Sequence, residues 1–471
     1  MHRTYRLAFL GLVSSQFWVI SIQFIFSIYV TRFFEPKVFA AYAVTLSLLS
    51  LVGIIFQLGL GNAASRIDHN SHGDISMLFR ISLFIGLIGS ITTILISTFW
   101  SMIWDSPKSA IFALLMSPTV LMSVGSSVLM GRTLKRERYN YLSKSRFISA
   151  FIASVLSFLI IRETNSDYAL VSFPVLLSTF TFTFLFIDNF SIITEQPNKT
   201  SLSNNLVFAF RSFKTSFARY MIFTIPVYLL SRQFGPNLLG NWNRAVTFFQ
   251  VPFEQFTGSL RSIIYPKYAT LEKSNEMFLK NATKVLKILT WLTLPASFAL
   301  APAISRLVEF IFPDHWHYLP QLSIFFMLSL TSVLLATVYE SMLEASNHQT
   351  ICFYSVLAGG ISIAFSCLLS LLFQKWEILG LVPMTSALAI HICQLFFTGK
   401  YIGLQVTSIW KTYLPPLLLA LLFNIEMNLI LKHWNLGFVF FLISIPVMSL
   451  SAVFYIRIIS NLKLNSIFEI D

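Results

Sequence analysis

Four arginines and one glutamate lie within or at the ends of two adjacent apolar stretches, 215–232 and 241–264: Arg219, Arg232, Arg244, Arg261 and Glu254. An ionised side chain in the middle of a bilayer costs about 3 kcal/mol on a lipid face, so such groups tend to face a polar cavity. Arg232 and Arg244 stand at the outer ends of the two stretches, and Arg219 and Arg261 toward their inner ends. Together they mark a path from one face to the other. A guanidinium keeps its charge and pairs bidentately with phosphate or carboxylate. The chemistry on offer is therefore recognition of an anionic group, not bond breaking. The same residues also admit a plainer reading, with Arg232 and Arg244 snorkelling to an interface and Arg261 serving as topological charge. Glu254, beside Pro252, is the acid in mid-span. It reads as a proton or sodium site, or as the salt-bridge partner of Arg261, about two turns away on the same face. His391 and Glu426 are also buried by position, and His391 reads as an interhelical hydrogen-bonder ahead of a proton relay.

The elements that must position these groups are helices in a membrane. Hydrophobic residues make up 55% of the 471 and charged residues 11%, with phenylalanine at 48 positions; soluble domains carry roughly 25% charge. Uncharged runs such as 7–31, 38–65, 81–104 and 345–374 reach the roughly 20 residues that cross a hydrocarbon core. About fourteen apolar spans run from Leu7 to Ile456, joined by short connectors. The pattern predicts an all-α polytopic membrane protein. Its alternation of charge sets the topology: 22 of the 33 lysines and arginines fall in one set of loops, led by Arg132, Lys135, Arg136, Arg138, Lys144 and Arg146. By the positive-inside rule these loops and both termini are cytoplasmic. The net charge of +13 then reports topology and anionic headgroups, not nucleic acid.

The polar segment Thr194–Asn205 divides the chain after six spans. The expected organisation is an N-terminal six-helix lobe (1–193), a cytoplasmic linker (194–214), a second six-helix lobe (215–400) and two further spans with a short tail (401–471), the lobes surrounding a central cavity. Bundles of this kind bind substrate between their halves. Prolines inside spans, Pro118, Pro174, Pro226, Pro252, Pro295, Pro302, Pro383 and Pro446, read as hinges or as ordinary kinks. Catalysis finds little support. The outward acids Glu35, Asp105, Glu163, Asp167, Asp314 and Glu377 are scattered, and no nucleophile motif, phosphate loop or metal cluster is present in the sequence. No cofactor and no metal is expected. His315 and His317 flank Trp316, which reads as an interfacial anchor. Cys352, Cys367 and Cys393 fall within spans, so disulfides are not expected.

One segment is recognisable. Gly235-Pro236, Leu239-Gly240-Asn241-Trp242-Asn243-Arg244-Ala245, Val251-Pro252 and Ile264-Tyr265-Pro266-Lys267-Tyr268 resemble the pattern of bacterial polysaccharide and O-antigen flippases, the polysaccharide branch of the multidrug/oligosaccharidyl-lipid/polysaccharide exporter superfamily. Leu58-Gly59-Leu60-Gly61-Asn62-Ala63-Ala64-Ser65-Arg66 looks like the matching element of the first half and adds Arg66 to the candidate cations. Phe310-Ile311-Phe312-Pro313-Asp314-His315-Trp316 is similar to the element before the family's tenth span, with Pro313 where glycine is usual and Trp242 where tyrosine is common. The resemblance implies an undecaprenyl-diphosphate-linked oligosaccharide as substrate and a proton or sodium as coupling ion. It also implies alternating access in the bacterial inner membrane and other glycan-assembly membrane proteins as partners. The competing expectations are a cation-coupled multidrug exporter of the same fold, a membrane O-antigen polymerase or glycosyltransferase, and a non-transporting scaffold.

Overall fold

The computed structural model describes residues 18–57, 60, 61, 64, 72–136, 138–164, 166–193, 195, 217, 220, 224–270, 276–346, 348–404 and 406–433. Arg66, Arg219, the span expected at 435–457 and, apart from Glu195, the linker expected at 194–214 lie outside them. The described residues are helical, with no strand among them. Nine of their helices are long and apolar enough to cross a membrane, or ten when one bent pair is counted as a single span. The chain packs as two compact units, Met1–Asn243 and Arg244–Asp471.

The first unit contains α1 (Trp18–Val30), α2 (Pro36–Gln57), α3 (His72–Ile103), α4 (Pro107–Met116), α5 (Pro118–Lys135), α6 (Tyr139–Thr164), α7 (Ser172–Ile193), α8 (224–234) and most of α9 (Pro236–Ala245). Its core gathers Leu48 and Val52 of α2, Leu78 and Phe79 of α3, Val120, Val124 and Val128 of α5, and Leu185 of α7. Phe79, Phe182, Phe186 and Phe190 form a run of aromatic contacts beside it. Apolar side chains gain nothing by leaving lipid for one another, so close packing and interhelical hydrogen bonds must hold such helices together. Glycine supplies the first: a Cβ on Gly61 would sit 2.8 Å from the Ser127 carbonyl oxygen of α5.

Hydroxyls supply the second, at the helix breaks. Pro118 cannot donate to the Leu114 carbonyl, and α4 and α5 meet at a 44° bend instead of forming the straight span that the apolar run predicts. Both the backbone N–H and the hydroxyl of Ser117 donate to the Leu114 carbonyl. Ser90 of α3 enters the gap. Its hydroxyl donates to the Ser117 carbonyl at 2.8 Å and accepts from the Leu121 N–H at 3.2 Å, bridging the two ends of a missing helix bond. A side chain inserted into the ladder is a physical cause of a kink.

The second unit begins at Arg244. A five-residue π turn, Val246–Gln250, leads into α10 (Val251–Thr270). Then come α11 (Glu276–Ile311), a 3-10 turn Asp314–Trp316, α12 (Leu319–Ala345), α13 (Gln349–Phe373), α14 (Trp376–Gly380), α15 (Val382–Ile402) and α16 (Val406–His433). α12 packs against α10, α11 and α15, and α16 lies along α11. Pro302 inside α11 frees the Phe298 carbonyl one turn earlier. Asn424 of α16 donates to that oxygen at 2.7 Å. Trp316 is 1% exposed, so it anchors its turn inside the unit and not at the headgroups as its sequence position suggests. The three cysteines are free thiols.

Candidate functional site: charged groups within the apolar helices

Local chemistry sets where the candidate cations sit. Gly235 takes a left-handed conformation with φ of +86°, which glycine adopts without steric cost. Pro236 follows as the first residue of α9, where its missing N–H is no loss. Gly240 packs against the backbone of Pro36 with no room for a Cβ, and Leu239 fills a cluster with Ala40, Ala43, Val44 and Trp104. The Leu-Gly of the sequence motif is thus a close helix contact. The residues that follow are polar and buried: Asn241 at 0%, Asn243 at 7% and Arg244 at 5% exposed. Asn241 donates to the Asn237 carbonyl at 2.8 Å, and its own side-chain oxygen has no hydrogen-bond partner among the described residues.

Arg244 is therefore not a snorkelling residue. It lies inside protein, where a guanidinium is costly unless its donors are satisfied. The π turn just beyond it has a simple cause. Pro252 offers no N–H, so the ladder loosens ahead of it and the Val251 N–H reaches back five residues to the Val246 carbonyl. Such π turns recur at functional sites. Phe248 and Phe249 of the turn pack on Phe312 and Phe326.

Arg261 and Arg244 lie on the same run of helix, about 25 Å apart along the axis at 1.5 Å per residue. Arg261 ion-pairs with Glu344 and, at 3.8 Å, with Glu340, both on α12. The two acids are one turn apart and half-buried, with side chains 19% and 16% exposed against 42% for the arginine. These acids, not Glu254, are the salt-bridge partners of Arg261. Sequence reasoning passed over them because they stand at the inner end of a span, although a Glu-x-x-x-Glu spacing on one helix face was the available signal. Glu254 is exposed on the second unit and accepts a 2.8 Å hydrogen bond from Gln250, one turn earlier.

In the first unit, Arg232 is exposed at the end of α8 and lies 3.6 Å from Asp105, which follows α3. Its place at a helix end with an exposed acid agrees with an interfacial position. Arg132, counted from the sequence among the cytoplasmic loop cations, is instead 1% exposed within α5. Next to it, Asn189 donates to Thr133 at 3.2 Å and Arg138 ion-pairs with Asp188. The structure also revises His391. It is 6% exposed, and among the described residues it makes no interhelical hydrogen bond. Its ring rests between those of Tyr339 and Tyr413, with centroids 5.4 and 5.8 Å away.

Comparison with known proteins puts this arrangement in context. The family model described as "Polysaccharide biosynthesis protein" matches residues 29–320. The chain belongs to that family. Among curated relatives, an "Uncharacterized membrane protein in cps region" of Klebsiella pneumoniae is 18% identical over 65% of this chain and 64% of its own. "Lipopolysaccharide biosynthesis protein WzxC" of Escherichia coli (strain K12) is 20% identical over 61% of this chain and 58% of its own. The chain thus spans a little under two thirds of the length of these relatives. Among solved structures, "Lipid II flippase MurJ, inward closed conformation" superposes with a TM-score of 0.71 at 15% identity, covering 98% of this chain and 100% of that one. At that identity the match shows a shared fold. This member of the polysaccharide biosynthesis family is a multi-pass membrane protein with the fold of a membrane transporter.

Proposed function

We propose that the chain is a flippase carrying undecaprenyl-diphosphate-linked oligosaccharide repeat units, of O-antigen or another surface glycan, from the cytoplasmic to the outer leaflet of a bacterial inner membrane. The observation that carries this reading is a buried guanidinium, Arg244 at the end of α9, in a member of a polysaccharide biosynthesis family. A guanidinium fork matches a diphosphate in charge and geometry. Arg66, Arg219, Arg232, Arg244 and Arg261 are the proposed cations of the path. The polyprenyl tail stays in lipid while the sugars and diphosphate occupy a polar cavity, and inward- and outward-open states alternate. Arg261 already shares its charge with Glu340 and Glu344, so an arriving anion must compete with them. Glu254 is the proposed coupling residue for a proton or sodium ion; an ion that binds the two states unequally is what drives the cycle. Both termini lie in the cytoplasm, and other glycan-assembly membrane proteins are the expected partners. The chain performs no covalent step.

One observation favours a second reading. Glu254, Glu340 and Glu344 give the second unit three acids on α10 and α12, the type of group a cation-coupled multidrug exporter needs. A deletion strain complemented with wild type, Arg244→Ala, Arg261→Ala and Glu254→Gln separates the two. Loss of surface glycan, with complete lipid-linked repeats trapped on the inner leaflet, supports the flippase. Single repeats collecting on the outer leaflet mean a polymerase defect, and unchanged glycan with altered drug sensitivity means the exporter.

A further inference from the structure

A polar cluster lies inside the second unit, made of side chains that the proposed path does not use. It joins Tyr339 of α12, His391 and Gln394 of α15, Tyr413 of α16 and Ser355 of α13. The hydroxyls of Tyr339 and Tyr413 bond to each other at 2.8 Å, and the Gln394 amide donates to Ser355 at 3.2 Å. Two atoms are left over. Among the described residues, His391 Nδ1 and the Gln394 side-chain oxygen are buried and have no hydrogen-bond partner, in residues 6% and 2% exposed. They are three residues apart on one helix, and so share a face. Buried polar atoms are almost always satisfied, and an exception calls for a physical account. Packing alone would be better served by a leucine at either position.

From this geometry we infer that His391 is a proton-binding site of the transport cycle, distinct from Glu254. The inference rests on the flippase reading for its role, though not for its chemistry. Neutral imidazole carries one N–H and one free lone pair. A proton taken from water adds to the free lone pair to give an imidazolium, which returns it to water when the cycle reverses the accessibility of the site; no other bond changes. Burial takes water away from an imidazolium and so disfavours the charged form, a cost that the groups beside the ring must offset. Two tyrosine rings lie within about 6 Å, the range of cation–π attraction, and the unpartnered Gln394 oxygen stands one turn away as an acceptor.

The elements packed against α15 bring few competing charges. α12 contributes Tyr339 and then Glu340, which lies beside Arg261. α13 contributes Ser355 and Cys352, and α16 contributes Tyr413. Glu377 of α14 lies before the start of α15, away from His391 in its middle. A group whose surroundings change between two conformations binds its proton with different affinity in each, and that difference couples the proton to the motion.

Two measurements on the full chain test this. In proteoliposomes holding an undecaprenyl-diphosphate-linked sugar, an imposed gradient of one pH unit multiplies the steady-state ratio between leaflets by about tenfold for each coupled proton. Wild type is expected to show that factor. In His391→Asn the response to the gradient is expected to be smaller by one such factor. A wild type indifferent to the gradient, or a His391→Asn protein that responds like wild type, overturns the inference.

The second measurement needs neither a variant nor transport. Ile390-His391 is the one Ile-His pair in the sequence, so carbonyl-labelled isoleucine with nitrogen-labelled histidine singles out this residue by NMR. An imidazole that titrates between about pH 5 and 8 supports the site, and one that stays neutral throughout that range overturns it. Should wild type move no lipid-linked sugar, the flippase reading fails, and the titration alone still decides for or against the proton site.

Discussion

The two units use their buried polar side chains differently. In the first, the groups within the helices are mostly neutral hydroxyls that mend the backbone: Ser90 and Ser117 at the break between α4 and α5, and Thr45 of α2 donating to the Ser109 carbonyl of α4 at 3.0 Å. Two of its ion pairs stand at the ends of helices, Arg138 with Asp188 and Arg232 with Asp105, although Arg132 is buried in the last turn of α5. The second unit also mends a break, with Asn424 on the Phe298 carbonyl. Beyond that it holds Arg261 between two acids and a histidine among tyrosines. A hydroxyl in a kink answers a local need created by proline. A charge or an imidazole inside a helix answers none, because alanine would pack there at no such cost. The contrast gives the hydroxyls of the first unit a mainly structural role and sets the Arg261 ion pairs and the imidazole of the second unit apart from it.

The contrast breaks most visibly if the second unit tolerates loss of its charges. Arg261→Ala leaves Glu340 and Glu344 facing each other, and surface glycan is expected to fall at least tenfold. The purified protein should lose about 2 kcal/mol, roughly half the effect of breaking a fully buried pair because the guanidinium is 42% exposed. Glu344→Gln should cost more than Glu340→Gln, whose oxygen is 3.8 Å from the arginine; equal losses in a thermal melt would contradict the geometry.

Asn424→Leu should destabilise by about 1–2 kcal/mol, because the Phe298 carbonyl loses its donor. Adding Pro302→Ala restores a helix N–H for that carbonyl, so the double variant should recover most of the loss, and simple additivity would refute the repair. Ser90→Ala, the equivalent change in the first unit, should cost about 0.5–1 kcal/mol and leave glycan export unchanged. Asp105→Asn should be smallest of all, with no measurable change in stability or export, since both it and Arg232 are exposed.

Much of the fold is legible in the sequence. Apolar runs of membrane length give the spans, and the polysaccharide motif around Leu239–Ala245 falls on one described helix with Arg244 at its end. The bend at Pro118 and the π turn before Pro252 are weaker signals, because a proline announces a break without saying what will fill it; Ser90 and Asn424 come from distant parts of the chain. The candidate site was less legible. Which acid meets Arg261 depends on how α10 lies on α12, and no spacing within α10 encodes that. Burial of Arg132 and Arg244 was hidden for the same reason, since a cation near a span end looks alike in sequence whether lipid, water or another helix covers it. His391 was visible as a histidine in a span, but its tyrosine neighbours arrive from α12 and α16.

The central claim, that this chain moves a lipid-linked glycan between leaflets, is tested most directly with the purified full-length protein in vesicles. An undecaprenyl-diphosphate oligosaccharide with a fluorescent sugar is placed in both leaflets, and the fraction open to an external quencher is followed over time. Wild type is expected to let the protected fraction become accessible, and Arg244→Ala to slow this at least tenfold at equal incorporation. Accessibility no faster than in protein-free vesicles, or equal rates for the two proteins, would contradict it.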